Sequence, residues 1–330
     1  MRRRAMILLC VLLMVSMLSM SVQAVVELKL GSKMPPESIE GKAFQYFADL
    51  VKEKSDGEVV VYVYPSEQLG KGLTQIDNVI SGNQDMFVDG SGFLARFEKD
   101  FRITDIPYLF RDFEHFQKVM TGPIGQRMEE TLLKKGMRIL NTKRNFVRGP
   151  YRVLVSKEPV KTLEDLQGLR LRTYESDLYM KIWKEIGASP IIIPWSETYM
   201  ALKQNTVEAV TSPLSLVYTM RFTEVAPYVT KIKEYPQDIV FIINNNKFKS
   251  LSKEHRKILI EAANEAGEYG TKLVYESTDK IIEITKQEHD AEYIEINTDP
   301  FAKKVKDMYY KLEEQGYISE GIVDEIRNTK

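Results

Sequence analysis

Two stretches of the chain repeat the same alternation of strand and helix patterns, and this repetition limits the fold more than any other feature. In the first stretch, strand patterns over 26–30, 59–64 and 85–88 are separated by helical patterns that end at Gly57 and Gly82. The second stretch has strand patterns over 137–140, 151–155, 169–173, 190–194 and 207–210. Strands that alternate with helices form mostly parallel sheets covered by helices. The sequence therefore predicts an α/β protein with two similar lobes.

Residues 252–289 form a proline-free run that is far longer than an ordinary helix. A helix of this length would extend about 55 Å, enough to brace two small domains side by side. A shorter helix is expected to begin at Ser196 and to run to about Asn205. Because no linker rich in glycine, proline or serine separates the two stretches, ordered strands are expected to join the lobes. We assign 25–149 and about 238–277 to lobe I, and 150–237 and about 278–330 to lobe II.

The first 24 residues differ in kind from the rest. Three arginines at positions 2–4 precede an apolar run over 6–20, and the segment ends in Ser21-Val22-Gln23-Ala24. This order is typical of a secretory signal peptide, with cleavage expected near Ala24 and export of the mature chain. An uncleaved membrane anchor is the alternative, although the run is shorter than the roughly 20 apolar residues of a membrane span. The only cysteine, Cys10, lies in this segment.

The charge and the motifs exclude several classes of function. Loss of the first 24 residues would leave 43 basic and 47 acidic residues, so nucleic acid, which needs a basic field, is not an expected partner. The histidines are far apart in the sequence, and no metal site is expected. No phosphate-binding loop or GxGxxG motif is present, so no cofactor is expected. A secreted hydrolase or transferase remains the alternative from another class, and it would need a serine and a histidine within hydrogen-bonding reach.

Two arginines stand at strand ends, where open α/β sheets gather their ligands. Arg152 opens the strand after Gly149-Pro150, and Arg172 ends the strand of the pattern Gly168-Leu169-Arg170-Leu171-Arg172. An arginine at such a position is more often a surface ion-pair partner than a ligand contact. From the residues alone, the chain is an exported two-lobed protein with a candidate anion-binding cleft.

Seven short motifs, in order along the mature chain, carry a specific resemblance. They lie at 62–65 with 68–70, at 82 with 85–86, and at 105–110, 166–172, 187–190, 197–202 and 251–252. With these motifs the chain resembles the DctP-type substrate-binding proteins of the tripartite ATP-independent periplasmic (TRAP) transporters. The resemblance implies a two-lobed periplasmic-binding-protein-like fold, joined by hinge strands and braced by a long helix. It also implies a binding protein, not an enzyme, that closes on an organic acid and delivers it to the small and large membrane subunits of a transporter.

The resemblance also assigns roles in the cleft. It implies that Arg172 pairs with the ligand carboxylate, as a planar guanidinium can do bidentately, and that Arg152 is a second basic contact. An aromatic ring at the position of Trp195 is expected to pack on the ligand. The chain departs from the family pattern at Ser212, where many members have asparagine, and only Asp89 stands near the carboxylate that polyol-acid binders use. Sugar acids are therefore not favoured.

The remaining expected wall residues are small or aromatic. They are Gly90, Phe87, Phe93, Tyr174 and Tyr199, and the segment 34–38 could also reach the ligand. We therefore expect a monocarboxylate with an apolar or aromatic body. C4-dicarboxylates, 2-oxo acids and uronates remain open, as does a sensory binding protein that presents its ligand to a receptor kinase.

Overall fold

The computed structural model describes residues 25–330, so the expected signal peptide and Cys10 lie outside the described residues. The strands are β1 (Val26–Ser32), β2 (Val59–Tyr64), β3 (Met86–Gly90), β4 (Met137–Ile139), β5 (Arg152–Ser156), β6 (Arg170–Thr173), β7 (Ser189–Ile192), β8 (Ala209–Pro213), β9 (Tyr228–Thr230), β10 (Ile239–Asn244) and β11 (Glu292–Ile294). The helices are α1 (Ile39–Lys54), α2 (Gly72–Ser81), α3 (Phe113–Thr121), α4 (Pro123–Lys134), α5 (Asp177–Ile186), α6 (Thr198–Lys203), α7 (Leu214–Val217), α8 (Asn245–Ser250), α9 (Lys253–His289), α10 (Asp299–Lys306), α11 (Tyr309–Glu314) and α12 (Ile322–Asn328).

The strands form two sheets, one in each lobe, and the α/β fold with two lobes is confirmed. The first sheet has the order β2-β1-β3-β10-β4, and the second has the order β11-β9-β5-β8-β6-β7. The prediction of mostly parallel sheets is wrong at one inner strand of each sheet. β10 runs antiparallel to β3 and β4, and β5 runs antiparallel to β8 and β9. Both exceptions are the strands by which the chain enters a sheet from the other lobe, a feature that local periodicity cannot reveal.

Two antiparallel segments carry the chain between the lobes. One leads from β4 to β5 and the other from β9 to β10, and they meet at a bridge between Val147 and Asp238. The amide of Arg148 donates to the carbonyl of Gln237 at 2.7 Å. The lobes are thus joined by paired backbone, which is the arrangement of a hinge in which a few residues absorb the rotation.

Helix α9 braces both lobes over its 37 residues. It packs on α1 of the first lobe and on α7 of the second. Gly270 permits the close approach to the first lobe, because a Cβ there would lie 2.4 Å from a ring carbon of Phe146 and 3.1 Å from the Cβ of Ala43. This glycine is therefore a packing contact and not a weak point of the helix. No helix within residues 25–330 combines the length and apolarity needed to span a bilayer.

The C-terminal helices lie against both lobes. Helix α10 packs on α5 of the second lobe. On the first lobe, Pro107 accepts a hydrogen bond from the hydroxyl of Tyr309 at 2.7 Å, and Arg127 forms an ion pair with Glu325. The division of the chain at about 278–330 stays a prediction, and these contacts show that the segment is shared between the lobes.

The predicted helix start at Ser196 is wrong. A 3-10 turn covers Trp195–Glu197, and α6 begins at Thr198 without a side-chain cap. The hydroxyl of Ser196 instead donates to the carboxylate of Glu67 in the first lobe at 2.5 Å. A side chain committed to a contact across the cleft is not available as a helix cap.

Candidate functional site

A cleft lies between the lobes, where the carboxyl ends of β1, β3, β6 and β8 meet the two crossing segments. It forms a cavity that is partly open to solvent. The first lobe contributes Lys33, Met34, Gly92, Phe93 and Asp105, the second contributes Arg152, Arg172, Tyr174, Trp195, Pro213 and Leu216, and the crossing segments contribute Arg148 and Gln237. A cleft at this edge of the sheets is the usual ligand position in open α/β folds.

Arg172, at the end of β6, is a buried cation with little compensation. Its side chain is 4% exposed, its Nε donates to the carbonyl of Ile193 at 2.9 Å, and its guanidinium lies 5.0 Å from the ring centroid of Trp195. Among residues 25–330 no carboxylate forms an ion pair with it. Burial, and then the nearby charge of Arg152, lowers the pKa of Arg172 to about 10. Because arginine does not lose its proton in proteins, this site holds an uncompensated positive charge.

Arg152 differs from Arg172 because its guanidinium is fully engaged. Its Nε donates to Glu234 at 2.6 Å, and its two terminal nitrogens donate to Gln237 and Thr211, each at 2.8 Å. Glu234 also accepts a hydrogen bond from Tyr179 at 2.8 Å. Arg152 therefore borders the cavity as a neutralised charge with each of its three nitrogens hydrogen-bonded.

A second buried network neutralises the two basic residues of the hinge side. Arg148 donates from two nitrogens to Glu40, at 2.9 and 2.7 Å, and its third nitrogen contacts Asp89 at 2.6 Å. Lys33 contacts the other oxygen of Asp89 at 2.5 Å. Burial alone would raise the pKa of Asp89, but Lys33 and Arg148 hold it below its ordinary value. Burial lowers the pKa of Lys33, whose ammonium also lies 3.7 Å from the ring centroid of Phe93.

The charges around the cavity therefore do not cancel. Four cations line it, namely Lys33, Arg148, Arg152 and Arg172. Three paired carboxylates balance the first three of these cations, namely Glu40, Asp89 and Glu234. With Asp105 protonated, as its raised pKa allows, the excess is one positive charge, at Arg172. A buried unpaired charge is costly, and a carboxylate group that enters the cleft would neutralise it.

Three polar side chains of the cavity wall have buried atoms without hydrogen-bond partners among the described residues. These atoms are Oδ2 of Asp105, the hydroxyl oxygen of Tyr174 and Nε1 of Trp195. Burial raises the pKa of Asp105 to about 7. Buried polar groups in proteins are nearly always satisfied, so such a concentration of open donors and acceptors in one cavity marks places for ligand or water atoms.

The structure brings some of the other sequence-predicted residues to the cavity and leaves others away from it. Phe93 lines the cavity, whereas Phe87 and Gly90 line a separate, smaller space. Ser212 is fully buried, and its hydroxyl donates to the carbonyl of Pro213 at 2.9 Å. Tyr199 lies on α6, where its hydroxyl donates to Glu224, and it is not a lining residue.

Sequence reasoning missed several of the residues that surround the cavity. Lys33 directly follows β1, so the rule that ligands meet strand ends could have found it. Asp105 lies within a motif that served only to establish the resemblance. Arg148 and Gln237 come from the crossing segments, and no local pattern marks the point at which a chain passes between lobes.

The histidines lie away from the cavity. His115 contacts the carbonyl of Ile326, and His255 contacts Glu58. His289 contacts Thr223. Within residues 25–330 no three His, Cys, Asp or Glu side chains are grouped in a way that could hold a metal ion.

Comparisons with known proteins identify the family. The model of the bacterial extracellular solute-binding proteins of family 7 matches residues 30–315. The chain is 32% identical over 313 residues to the 2,3-diketo-L-gulonate-binding periplasmic protein YiaO of Escherichia coli K12, with 94% of each chain covered. It is 27% identical to the sialic acid-binding periplasmic protein SiaP of Vibrio cholerae, with 89% of this chain and 90% of that protein covered.

A solved structure shows the same architecture. A TRAP periplasmic solute-binding protein of Ochrobacterium anthropi with bound L-fuconate superimposes with a TM-score of 0.86 at 29% identity, and the match covers 92% of this chain and 99% of that one. The resemblance to the TRAP family is thereby confirmed, and with it the expectation of a protein that binds organic acids. The chain belongs to family 7 of the bacterial extracellular solute-binding proteins, the periplasmic binding proteins of TRAP transporters.

Proposed function

We propose that this protein captures an organic monocarboxylate between its lobes, with the ligand carboxylate on Arg172. The observation that carries the proposal is the single unpaired positive charge of the cavity. One carboxylate would neutralise that charge, whereas a second carboxylate in the cavity would have no free cation to pair with. The ring of Trp195, next to the guanidinium, supports packing against the body of the acid.

We infer that binding closes the cleft and presents the acid to the small and large membrane subunits of a TRAP transporter. The lining residues come from both lobes and from the crossing segments, so a bound acid stabilises the closed arrangement. The family is one of solute-binding proteins, which supports binding without conversion. Export with cleavage near Ala24 belongs to the same proposal, and the intact mass of the periplasmic protein tests it.

Thermal shift with matched pairs of small molecules tests the carboxylate requirement. D-Glucuronate and D-glucose share a ring and differ by the carboxylate, and galactonate and galactitol form a second pair. We expect an acid of such a panel to raise the melting temperature and its neutral partner to have no effect, because only ligands of the native state stabilise it. Equal shifts by an acid and its neutral partner would contradict the proposal.

A further inference from the structure

We propose that Asp105 is a second recognition residue of the cleft, which pairs with a hydroxyl group on the body of the bound acid. The inference rests on the proposed function, because it assumes that Arg172 holds the carboxylate. It names the ligand more closely as a hydroxylated monocarboxylic acid. It also differs from the wholly apolar or aromatic body that the sequence favours.

The position of Asp105 carries the first step of the argument. The residue ends a 3-10 helix, Lys99–Asp105, of the first lobe, and its side chain is 1% exposed. Its carboxyl group lies against Gly92, where a Cβ would be 2.4 Å and 2.5 Å from the two carboxyl oxygens. Gly92 and Asp105 both line the cavity. Absence of a side chain at Gly92 thus leaves room for a carboxyl group at the cavity wall.

The lack of a partner for this carboxyl group is the second step. Within residues 25–330 its Oδ2 is buried and makes no hydrogen bond of ordinary length, and the hydroxyl of Tyr174, which is near enough to lower the pKa of Asp105, makes none either. Every other carboxylate that borders the cavity is held by Arg or Lys. A buried carboxyl group without a partner costs free energy, so its retention in a ligand cavity indicates a ligand group that satisfies it.

The charges near Asp105 favour a hydroxyl over an amine or a second carboxylate. Burial raises the pKa of Asp105 to about 7, and the negative charges of Glu234 and Asp238 also raise it. Tyr174 and Arg152 lower the pKa but do not outweigh burial. Both protonation states of Asp105 are therefore accessible near neutral pH. A hydroxyl group can donate to the ionised carboxylate and accept from the protonated carboxyl group. An ammonium would enter a cavity that already holds the unpaired positive charge of Arg172, and a second carboxylate would be repelled by ionised Asp105.

Asp105 and Arg172 belong to different lobes. A hydroxylated acid that contacts both residues would bridge the cleft, whereas an unsubstituted acid would contact only Arg172 of the two. The extra contact forms only when the cleft is closed. Asp105 is therefore expected to select ligands through closure, mainly by slowing dissociation.

Calorimetry with a panel of six-carbon and smaller acids tests the inference. The probes are D-erythronate, D-gluconate, L-galactonate and D-glucuronate, with butyrate, hexanoate, 6-aminohexanoate and D-glucarate as acids that lack the hydroxyls or carry a second charge. We expect the tightest binder to be a hydroxylated monocarboxylate. An unsubstituted, amino or dicarboxylic acid as the tightest binder, or no binding by any hydroxylated monocarboxylate, would overturn the inference.

Variants separate this inference from the proposed function. Asp105→Leu should weaken binding of the best hydroxylated acid by about tenfold to a hundredfold, the value of a hydrogen bond to a charged group, and Asp105→Asn should restore part of the loss. Gly92→Ala should act like Asp105→Leu by displacing the carboxyl group, and exposed Asp307→Asn is the matched control. Unchanged affinity in the Asp105 and Gly92 variants, with binding still abolished by Arg172→Met, would refute the role of Asp105 and leave the carboxylate site intact.

Discussion

Replacement of Arg172 by methionine should abolish ligand binding and at the same time stabilise the unliganded protein. Methionine keeps most of the side-chain volume against Trp195 but removes the charge and the guanidinium donors. The two effects have one cause, because the charge that attracts a carboxylate is uncompensated in the described structure. A residue with only a structural role would lower stability when replaced.

The magnitudes follow from the structure. Lowering the pKa of Arg172 from its ordinary value to about 10 corresponds to about 3 kcal/mol of destabilisation of the buried charge. Loss of the hydrogen bond to Ile193 costs about 1 kcal/mol, so the variant should gain about 2 kcal/mol in the free energy of unfolding. Removal of a buried charge partner weakens binding by about 2–5 kcal/mol, which is at least tenfold in affinity.

Urea unfolding of the unliganded proteins and calorimetry with the best acid of the panel measure the two effects. Arg170→Met is the matched control, because Arg170 lies on the same strand, is half-buried and is paired with Glu208 at the surface. This control should change both quantities little, since exposed ion pairs contribute about 0–1 kcal/mol. An Arg172→Met protein that binds acids normally, or that is less stable than the wild type, would refute the reasoning.

Three further predictions concern other parts of the molecule. Because burial raises the pKa of Asp105 to about 7, the native protein keeps a proton that the unfolded chain loses near pH 4. The contribution of Asp105 to the free energy of unfolding should therefore fall by up to about 4 kcal/mol from pH 4 to pH 7, and urea unfolding should show the wild type losing this much relative to Asp105→Asn. Lys71 of the first lobe contacts Glu197 of the second at 3.0 Å, so Lys71→Ala should raise the ligand dissociation rate by no more than about fivefold in stopped flow and leave association unchanged. Gly270→Ala should cost about 1–3 kcal/mol in the same unfolding assay, because the new methyl group overlaps Phe146; an unchanged midpoint would show that the helix can shift to admit it.

The elements of the fold could be predicted from the sequence because each one has a local cause. Gly82 and Gly187 end their helices with positive φ angles of 81° and 122°, and Ser252 caps α9 by accepting from the amide of His255. Hydrophobic periodicity reports which face of an element is buried. It does not report direction within a sheet, which is why antiparallel β5 and β10 were not foreseen.

The site was less predictable because its chemistry depends on pairing across long distances. Arg152 and Arg172 have the same side chain and both stand at strand ends, so the sequence gives no reason for one to be neutralised. Glu234, which pairs with Arg152, is 82 residues away along the chain. The ranking of Arg172 above Arg152 as a ligand contact came from the family resemblance. The physical reason for that ranking is visible only in the packed structure.

Pairing of the other charges is what makes the one open charge specific. If Lys33, Arg148 and Arg152 were also free, the cavity would attract any polyanion, and phosphate or citrate would compete with a monocarboxylate. Glu40, Asp89 and Glu234 prevent this by occupying the neighbouring cations. Neutralising Glu234 by Glu234→Gln should therefore leave the monocarboxylate site in place and add affinity for a dicarboxylate, since Arg152 would then lack its counter-charge. Calorimetry with succinate on the variant and the wild type measures this gain, and equal weak binding to both proteins would contradict the charge balance assigned to the cleft.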